Sequence, residues 1–252
     1  MISITINGKS FNIDDNDRYR SFWHKAEMGR WEPETFKIFD KYIMPDKSFI
    51  DIGAWIGVTS LYGSLTAKSC YSFEPDRIAF QEFITNINLN PLMNIFPFMS
   101  CIADNTGFST LFSKTSFGDS QSSIVGSEID NKSITHSFNI MDFIKVNKIE
   151  DVNFVKMDIE GGESIVLPSM IDYLKLFKPT LYLSVHPYWF HDREEGSNAV
   201  IKACSLYKYI LDSSFNPIDI TRFEDKINRD DLEGISNKDM EIILTDIDID
   251  LS

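Results

Sequence analysis

The chain opens with apolar residues at every second position, Ile2, Ile4 and Ile6, then Asn7-Gly8, then Phe11 and Ile13. Alternation on both sides of an Asn-Gly pair predicts a small β-hairpin. From about Arg18 to Tyr42 the apolar spacing is helical, with Pro33 suited to a first helical turn. The pattern then changes. Short apolar runs of strand length alternate with amphipathic stretches, the signature of a parallel sheet with crossover helices. The predicted strands are Ser48–Ile52, Ser69–Phe73, Asn94–Ile102, Val152–Asp158 and Pro179–Val185. The predicted helices are Val58–Leu65, Arg77–Asn90, Ile140–Asn147, Glu163–Leu176 and a further one near Asn198–Leu211. Phe215–Ile220 and Met240–Asp246 are candidates for two closing strands, and the Ser-rich stretch Ser113–Ser127 for a mobile loop. This divides the chain into a hairpin-helix extension, 1–44, and an α/β domain, 45–252.

Length and composition agree with that picture. At about 150 residues per domain the 252 residues give one to two domains, enough to bury a core without disulfides. Apolar residues are 43% and charged ones 25%, ordinary globular usage that excludes disordered and collagen-like classes. The net charge is −14, and no basic patch interrupts it, so nucleic acid is not an expected partner. Half of that charge lies in Ser213–Ser252, which carries 11 acidic and 4 basic residues and reads as a solvated acidic edge. Cys70, Cys101 and Cys204 are odd in number and widely spaced, which suggests reduced thiols and a cytoplasmic setting. The residues after Met1 lack the pattern of a signal peptide. The longest uncharged stretch, Phe83–Ala103, is too rich in Asn and Pro to insert into a membrane.

In an open α/β sheet, ligands bind in the crevice at the carboxyl ends of the strands. The first predicted strand ends in Asp51-Ile52-Gly53-Ala54-Trp55-Ile56-Gly57, where Gly53, Ala54 and Gly57 let a ligand approach the backbone. A Gly-rich turn of this kind also serves dinucleotide binders, or only the turn itself. The second ends in Phe73-Glu74-Pro75-Asp76, placing a carboxylate 23 residues after Asp51. Glu74 there can accept the hydroxyls of an adenosine ribose, or serve as a helix N-terminal charge. Asp51 separates two nucleotide classes. It would repel a pyrophosphate, at roughly 1–4 kcal/mol for like charges about 4 Å apart, and attract the ammonium and sulfonium of S-adenosylmethionine. The Gly-x-x-x-Gly spacing likewise favours adenosylmethionine over NAD.

On the fourth strand, Asp158 and Glu160 share a face, and Gly161-Gly162 lets the chain pass close to a ligand. Glu163 opens the next helix, where a carboxylate complements the dipole. Lys156, inside an apolar strand, is either paired with a carboxylate or reaches outward. The fifth strand ends at His186, placed either as a general base or as a surface residue packed on Pro187. Asp158, Glu160 and His186 together could ligate a divalent metal. Tyr182, Tyr188, Trp189 and Phe190 are core or the wall of an acceptor pocket. Trp31 and Glu32 could close over the cofactor, with core packing as the other role for Trp31.

Phe49-Ile50-Asp51-Ile52-Gly53-Ala54-Trp55-Ile56-Gly57, Phe73-Glu74-Pro75-Asp76, Asn86-Ile87-Asn88-Leu89-Asn90 and Ala103-Asp104-Asn105-Thr106-Gly107 resemble motifs of the FkbM-type methyltransferase family, in order. So does Lys156-Met157-Asp158-Ile159-Glu160-Gly161-Gly162-Glu163. The resemblance runs from about Trp31 to His186, and Trp55 departs from it, standing where the pattern has Asn. It implies a class I methyltransferase, a Rossmann-like, seven-stranded, mostly parallel sheet with helices on both faces, acting on a hydroxyl, often of a sugar or natural product. Carried over by position, Asp51, Gly53 and Ala54 meet the methionine moiety and Glu74 the ribose. Ser100 and Cys101 flank the adenine, and Asp158 lies beside the methyl group. The expected enzyme is then an adenosylmethionine-dependent O-methyltransferase modifying a glycan or glycoside, with His186 as base, Asp158 orienting it and no metal required. An NAD-dependent oxidoreductase and a non-catalytic adenosylmethionine-binding module are the alternatives.

Overall fold

In the computed structural model, which describes residues 1–91, 94–229 and 240–248, the chain builds three sheets. The hairpin pairs β1 (Ile2–Ile6) with β2 (Lys9–Ile13) antiparallel. Helices α1 (Arg20–Glu27) and α2 (Pro33–Tyr42) follow. The helical stretch expected over this segment is two helices: Gly29, with φ +65°, ends α1, and Pro33 starts α2, as its place in a first helical turn implied.

The main sheet takes its strands from β3 (Ser48–Ile52), β4 (Ser69–Phe73), β5 (Ile95–Phe98), β10 (Val152–Met157), β11 (Thr180–Ser184), β12 (Tyr209–Asp212) and β13 (Glu241–Thr245). Their order is β12-β13-β11-β10-β3-β4-β5. The five from β11 to β5 are parallel, while β13 runs antiparallel to both β11 and β12, so the sheet is mixed. The helices α3 (Val58–Ser64), α4 (Arg77–Asn88), α5 (Ile140–Asn147), α6 (Glu163–Phe177), α7 (Arg193–Cys204) and α8 (Ile220–Ile227) complete the architecture.

Strand alternation divides the interior into two cores. Ile50, Ile52, Val155, Met157, Leu181 and Leu183 face α5, α6 and α7. Phe49, Phe154, Tyr182 and Ile243 face the other way, onto α2, α3 and the hairpin. Residues 1–44 therefore share a core with the sheet they precede.

The chain departs from expectation in four further places. The strand expected over Asn94–Ile102 breaks at Met99 into β5 and β6 (Ser100–Ile102), and β6 joins a separate four-stranded sheet. That sheet has the order β6-β9-β7-β8, with β7 (Gly107–Ser113), β8 (Ser122–Ser123) and β9 (Asn131–Phe138), and was not anticipated. The Ser-rich stretch expected to be a mobile loop forms part of it: Asp76 accepts from Gly118 N and from Ser122 Oγ at 2.9 Å, and Tyr19 donates to Gly118 O at 2.7 Å. The helix expected over Asn198–Leu211 starts earlier, where Asp192 caps it by accepting from Glu195 N, and ends at Cys204; Tyr209–Asp212 is then β12. Phe215–Ile220 is not a strand. Phe215 has φ +67°, the Asp212 carboxylate gathers the Ser214 and Asn216 amides, and Asp219 caps α8. β13 confirms the second closing strand. Of the acidic segment, Asp230, Asp231, Glu233 and Asp239 lie outside the described residues. All three cysteines are free and buried. No helix among the described residues is long and apolar enough to cross a membrane.

Two asparagines attach the hairpin. Asn86 is fully buried, accepting from Asp14 N at 2.8 Å and donating to Ile56 O at 3.0 Å. Asn90 accepts from Asn12 N at 2.8 Å and donates to Asn12 O at 2.7 Å, pairing as another strand would. Removing the Asn86 amide strands a buried N–H and a buried carbonyl, at about 1–3 kcal/mol for each group left unsatisfied. Asn86→Ala should therefore lower unfolding free energy by roughly 2–4 kcal/mol in urea denaturation, whereas Asn88→Ala, on the half-exposed side of α4, should change it by less than about 0.5 kcal/mol.

Candidate active site

At the carboxyl ends of β3, β4, β10 and β11 lies a cavity of about 240 Å³. Its floor is the turn after β3. Gly53 N and Ala54 N both donate to Phe73 O at 3.0 Å, stitching the turn to β4. Gly53 has φ +85°, and a Cβ there would lie 1.9 Å from the Asp158 carbonyl oxygen, so only glycine lets β3 and β10 converge. Glu74 lines the cavity, its Oε2 accepting from Trp55 N at 2.8 Å and its Oε1 from Asp76 N at 2.7 Å.

Of the residues expected to meet a cofactor, Gly53, Ala54, Glu74, Cys101 and Asp158 line the cavity. Asp51, Gly57 and Ser100 do not. Asp51 is fully buried within β3, accepting from Thr59 Oγ1 at 2.7 Å and Ser60 Oγ at 2.6 Å. Its Oδ1 faces Lys156 Nζ at 3.6 Å. Gly57 takes φ +93° beneath the Phe83 ring, where a Cβ would come within 2.1 Å, so its role is the turn. Ser100 alternates away from Cys101 on β6 and is buried behind the cavity wall.

Lys156 joins these parts. Fully buried, it donates to Gly53 O at 2.9 Å and lies 3.6 Å from Asp51 and 3.8 Å from Asp158 Oδ2. Burial opposes its charge, yet the surrounding carboxylates, Asp51 and Asp158 foremost, raise its pKa. The ammonium persists.

His186 lines the cavity with Nδ1 3.0 Å from Glu163 Oε1, while Nε2 stands 3.6 Å from Asp158 and 3.9 Å from Glu160. Burial would lower its pKa, but Glu163, Asp158 and Glu160 together raise it to about 10. That direction does not favour a resting general base at His186. At neutral pH the imidazole already carries its proton and holds the carboxylates together. Glu163, expected to complement a helix dipole, anchors His186 from a fully buried position. Glu160 has φ +53° and a pKa raised to about 7, by burial first and with the nearby Asp158 and Glu163 adding to it against His186 and Lys114. One donor atom from each of Asp158, Glu160 and His186 lies within 4.8 Å of the others, a set that could hold a divalent cation.

Sequence reasoning missed much of the wall. Leu111, Asp119, Ser120, Ser122, Ser123 and Ile124 line the cavity from the four-stranded sheet and its loop, and Glu241 lines it from β13. Trp55 explains itself only in three dimensions. Its indole donates to Gly118 O at 3.2 Å and packs edge-on against Phe22 at 4.6 Å, joining the turn to α1 and the loop. Tyr182, Tyr188, Trp189 and Phe190 do not line the cavity. Tyr182 is core, Phe190 packs on Gly196, Tyr188 is exposed, and Trp189 covers Gly161 beside Glu160.

A mixed seven-stranded sheet with a reversed β13, and a crevice at the strand ends between a glycine turn and an acidic residue, defines the class I methyltransferase type of α/β domain. A model of the methyltransferase FkbM domain matches residues 51–214, and the chain belongs to the FkbM methyltransferase family. Among solved structures it is similar to methyltransferase FkbM from Methylobacillus flagellatus, at 18% identity and a TM-score of 0.41, covering 77% of this chain and 50% of that one. It is also similar to the fibrillarin pre-rRNA processing protein of Methanococcus jannaschii, at 13% identity and a TM-score of 0.45, covering 96% and 80%. The chain thus spans half the length of the Methylobacillus protein. No curated protein matches it as a relative.

Two outcomes follow from these charges. Lys156→Met leaves buried carboxylates unpaired and should cost about 3–5 kcal/mol in chemical denaturation; the Asp51→Asn, Lys156→Met pair should recover part of that loss. Burial lifts Glu32 and Glu74 to about 8, so between about 4.5 and 8 the folded chain holds protons that the unfolded chain has released. His186, raised to about 10, extends the same sign from 6.5 upward. Stability must fall as pH rises through this range. The unliganded protein should melt at a higher temperature at pH 5.5 than at pH 8.5, and Glu74→Gln should flatten the difference.

Proposed function

We propose that this chain is an adenosylmethionine-dependent O-methyltransferase acting on a neutral hydroxyl acceptor, a sugar of a glycan or glycoside. One observation carries the cofactor half. Six carboxylates line the cavity, from Glu32, Glu74, Asp119, Asp158, Glu160 and Glu241, against Lys156 as the only lysine or arginine among the described lining residues. A pyrophosphate would meet the ionised members of this set, which disfavours a nicotinamide dinucleotide. A cationic sulfonium nucleoside meets the opposite. Ile102, Leu111 and Cys101 offer an apolar slot for the adenine, and Glu74 still has lone pairs for ribose hydroxyls beyond its two backbone bonds. The residues fit the cofactor.

When bound, adenosylmethionine supplies an electrophilic methyl group. The chain's part is to orient an acceptor hydroxyl and take its proton. Glu160 is suited to the second task, because its proton affinity lies near neutrality, where a general base works best. His186, held on Glu163, fixes Asp158 and Glu160 at the strand ends. Trp189 adjoins Gly161 next to Glu160 with Lys114 Nζ over one face of its ring, which leaves the other face for a sugar ring to stack on. The negative surface disfavours nucleic acid as acceptor.

Radiolabelled methyl should pass from adenosylmethionine to glycosides and not to RNA or DNA. The rate should rise with pH through about 7 as Glu160 ionises, in the field of His186, Asp158, Glu163 and Lys114. Glu160→Gln should lower kcat by roughly 10²-fold or more and remove that limb. Turnover should survive EDTA. Loss on chelation with recovery in Mg²⁺ or Mn²⁺ would give the role of Glu160 to a cation on Asp158, Glu160 and His186, and adenosylmethionine binding with no turnover on any acceptor would favour a binding module.

A further inference from the structure

Glu32 is held in an unusual way for a residue outside the matched 51–214 segment. It precedes Pro33 and takes φ +38° and ψ +54°, a left-handed conformation that a side chain with a Cβ disfavours. Strain of this kind persists only where the surroundings fix it, and it gathers at ligand sites. Here they do fix it. The Thr35 hydroxyl donates to Glu32 Oε2 at 3.1 Å and lies 2.8 Å from the Tyr182 hydroxyl, which therefore donates to it from β11. Glu32 is thereby tied to the sheet with its carboxylate at the cavity wall.

Among the described residues no Lys, Arg or His nitrogen lies within 4 Å of that carboxylate, and Glu32 Oε1 has no hydrogen-bond partner. Its charged neighbours are Asp158, Glu241 and, with a weaker effect on it, Lys156. The group is half-buried beside like charges, with Lys156 a cationic neighbour more than 4 Å away. β11, to which it is tied, and β4, which carries Glu74, are separated by β10 and β3. At about 4.8 Å per strand spacing that is roughly 14 Å across the crevice. If the ribose lies at Glu74, the amino-acid tail of the cofactor extends over the Gly53 turn towards Glu32. Of the cations on that cofactor, the sulfonium has no hydrogen to donate, whereas the α-ammonium has three.

We infer that Glu32 receives the α-ammonium group of the cofactor, so that the N-terminal extension reads the amino-acid tail while the family segment reads the nucleoside. The assignment rests on the methyltransferase reading and concerns binding alone. It is tested by calorimetry with S-adenosylhomocysteine, its deaminated analogue and 5′-methylthioadenosine, which keeps the adenosine and thioether but lacks the tail. Glu32→Gln retains an acceptor for Thr35 and removes the charge. It should raise the Kd of adenosylhomocysteine at least tenfold and leave those of methylthioadenosine and the deaminated analogue within twofold. Unchanged adenosylhomocysteine affinity would overturn the assignment, as would equal weakening of all three, which would make Glu32 a support of the fold. A wild-type chain that binds methylthioadenosine but gains nothing from the tail would sink the Glu32 assignment and spare the cofactor reading. Binding of none of them by the wild type would remove both.

Discussion

A single buried ammonium governs the geometry of this site. Lys156 stands in β10 between β3 and β11, directly across from Asp51 and Tyr182 in the strand register. It donates to the Gly53 carbonyl at 2.9 Å and lies 3.6 Å from the Asp51 and 3.8 Å from the Asp158 carboxylate. Without that charge, two acids and a carbonyl would face one another in the interior, where an unpaired buried charge is strongly destabilising. With it, the ends of β3 and β10 close on each other until a glycine hydrogen is all that fits between them. The cavity floor and the Asp158 edge are therefore one object. Asp51 faces Lys156, and the carboxylates that line the cavity are others.

Those remaining carboxylates come from unrelated parts of the chain. Glu74 and Glu160 follow strands of the matched segment, Glu32 belongs to the extension, Asp119 to the loop of the small sheet and Glu241 to the reversed strand β13. Trp55 connects several of these pieces, reaching α1 through Phe22 and the loop through Gly118. The extension and the inserted sheet thus form walls of the cavity, and the aromatic contacts between them set its mouth. Protonation matches this crowding. Several acids retain protons near neutrality because burial and mutual repulsion make full ionisation costly.

Much of this was legible in the sequence, for definite reasons. β3, β4, β10 and β11 are short apolar runs bounded by turn residues, and their carboxyl-end residues carry the chemistry, so periodicity found Gly53, Ala54, Glu74, Asp158, Glu160 and His186 together. What periodicity cannot give is which side of a fully buried strand a polar residue faces. β3 is buried on both faces, so nothing in the local pattern distinguished Asp51 from its neighbours Ile50 and Ile52. Nor could the sequence show that Met99 ends a main-sheet strand and begins another sheet. The alternation of β7 is half exposed and polar, which resembles loop as much as strand. The state of His186 was hidden too. It depends on Glu163, 23 positions earlier at the start of α6.

The bond from Lys156 to Gly53 spans 103 positions of chain. Parallel pairing of strands so far apart closes a long loop before any contact compensates for it, which places β3–β10 among the slow events of folding. The cavity floor cannot precede that event, since its shape is the meeting of those two strand ends. A nascent or partly folded chain accordingly has hairpin, helices and strands without a ligand site. Nucleoside then stabilises only the finished structure, by mass action on the native state, and offers nothing to the intermediates that lead to it. Ligand supply thus bears on how long the folded enzyme survives, while the rate at which it is made depends on the chain alone.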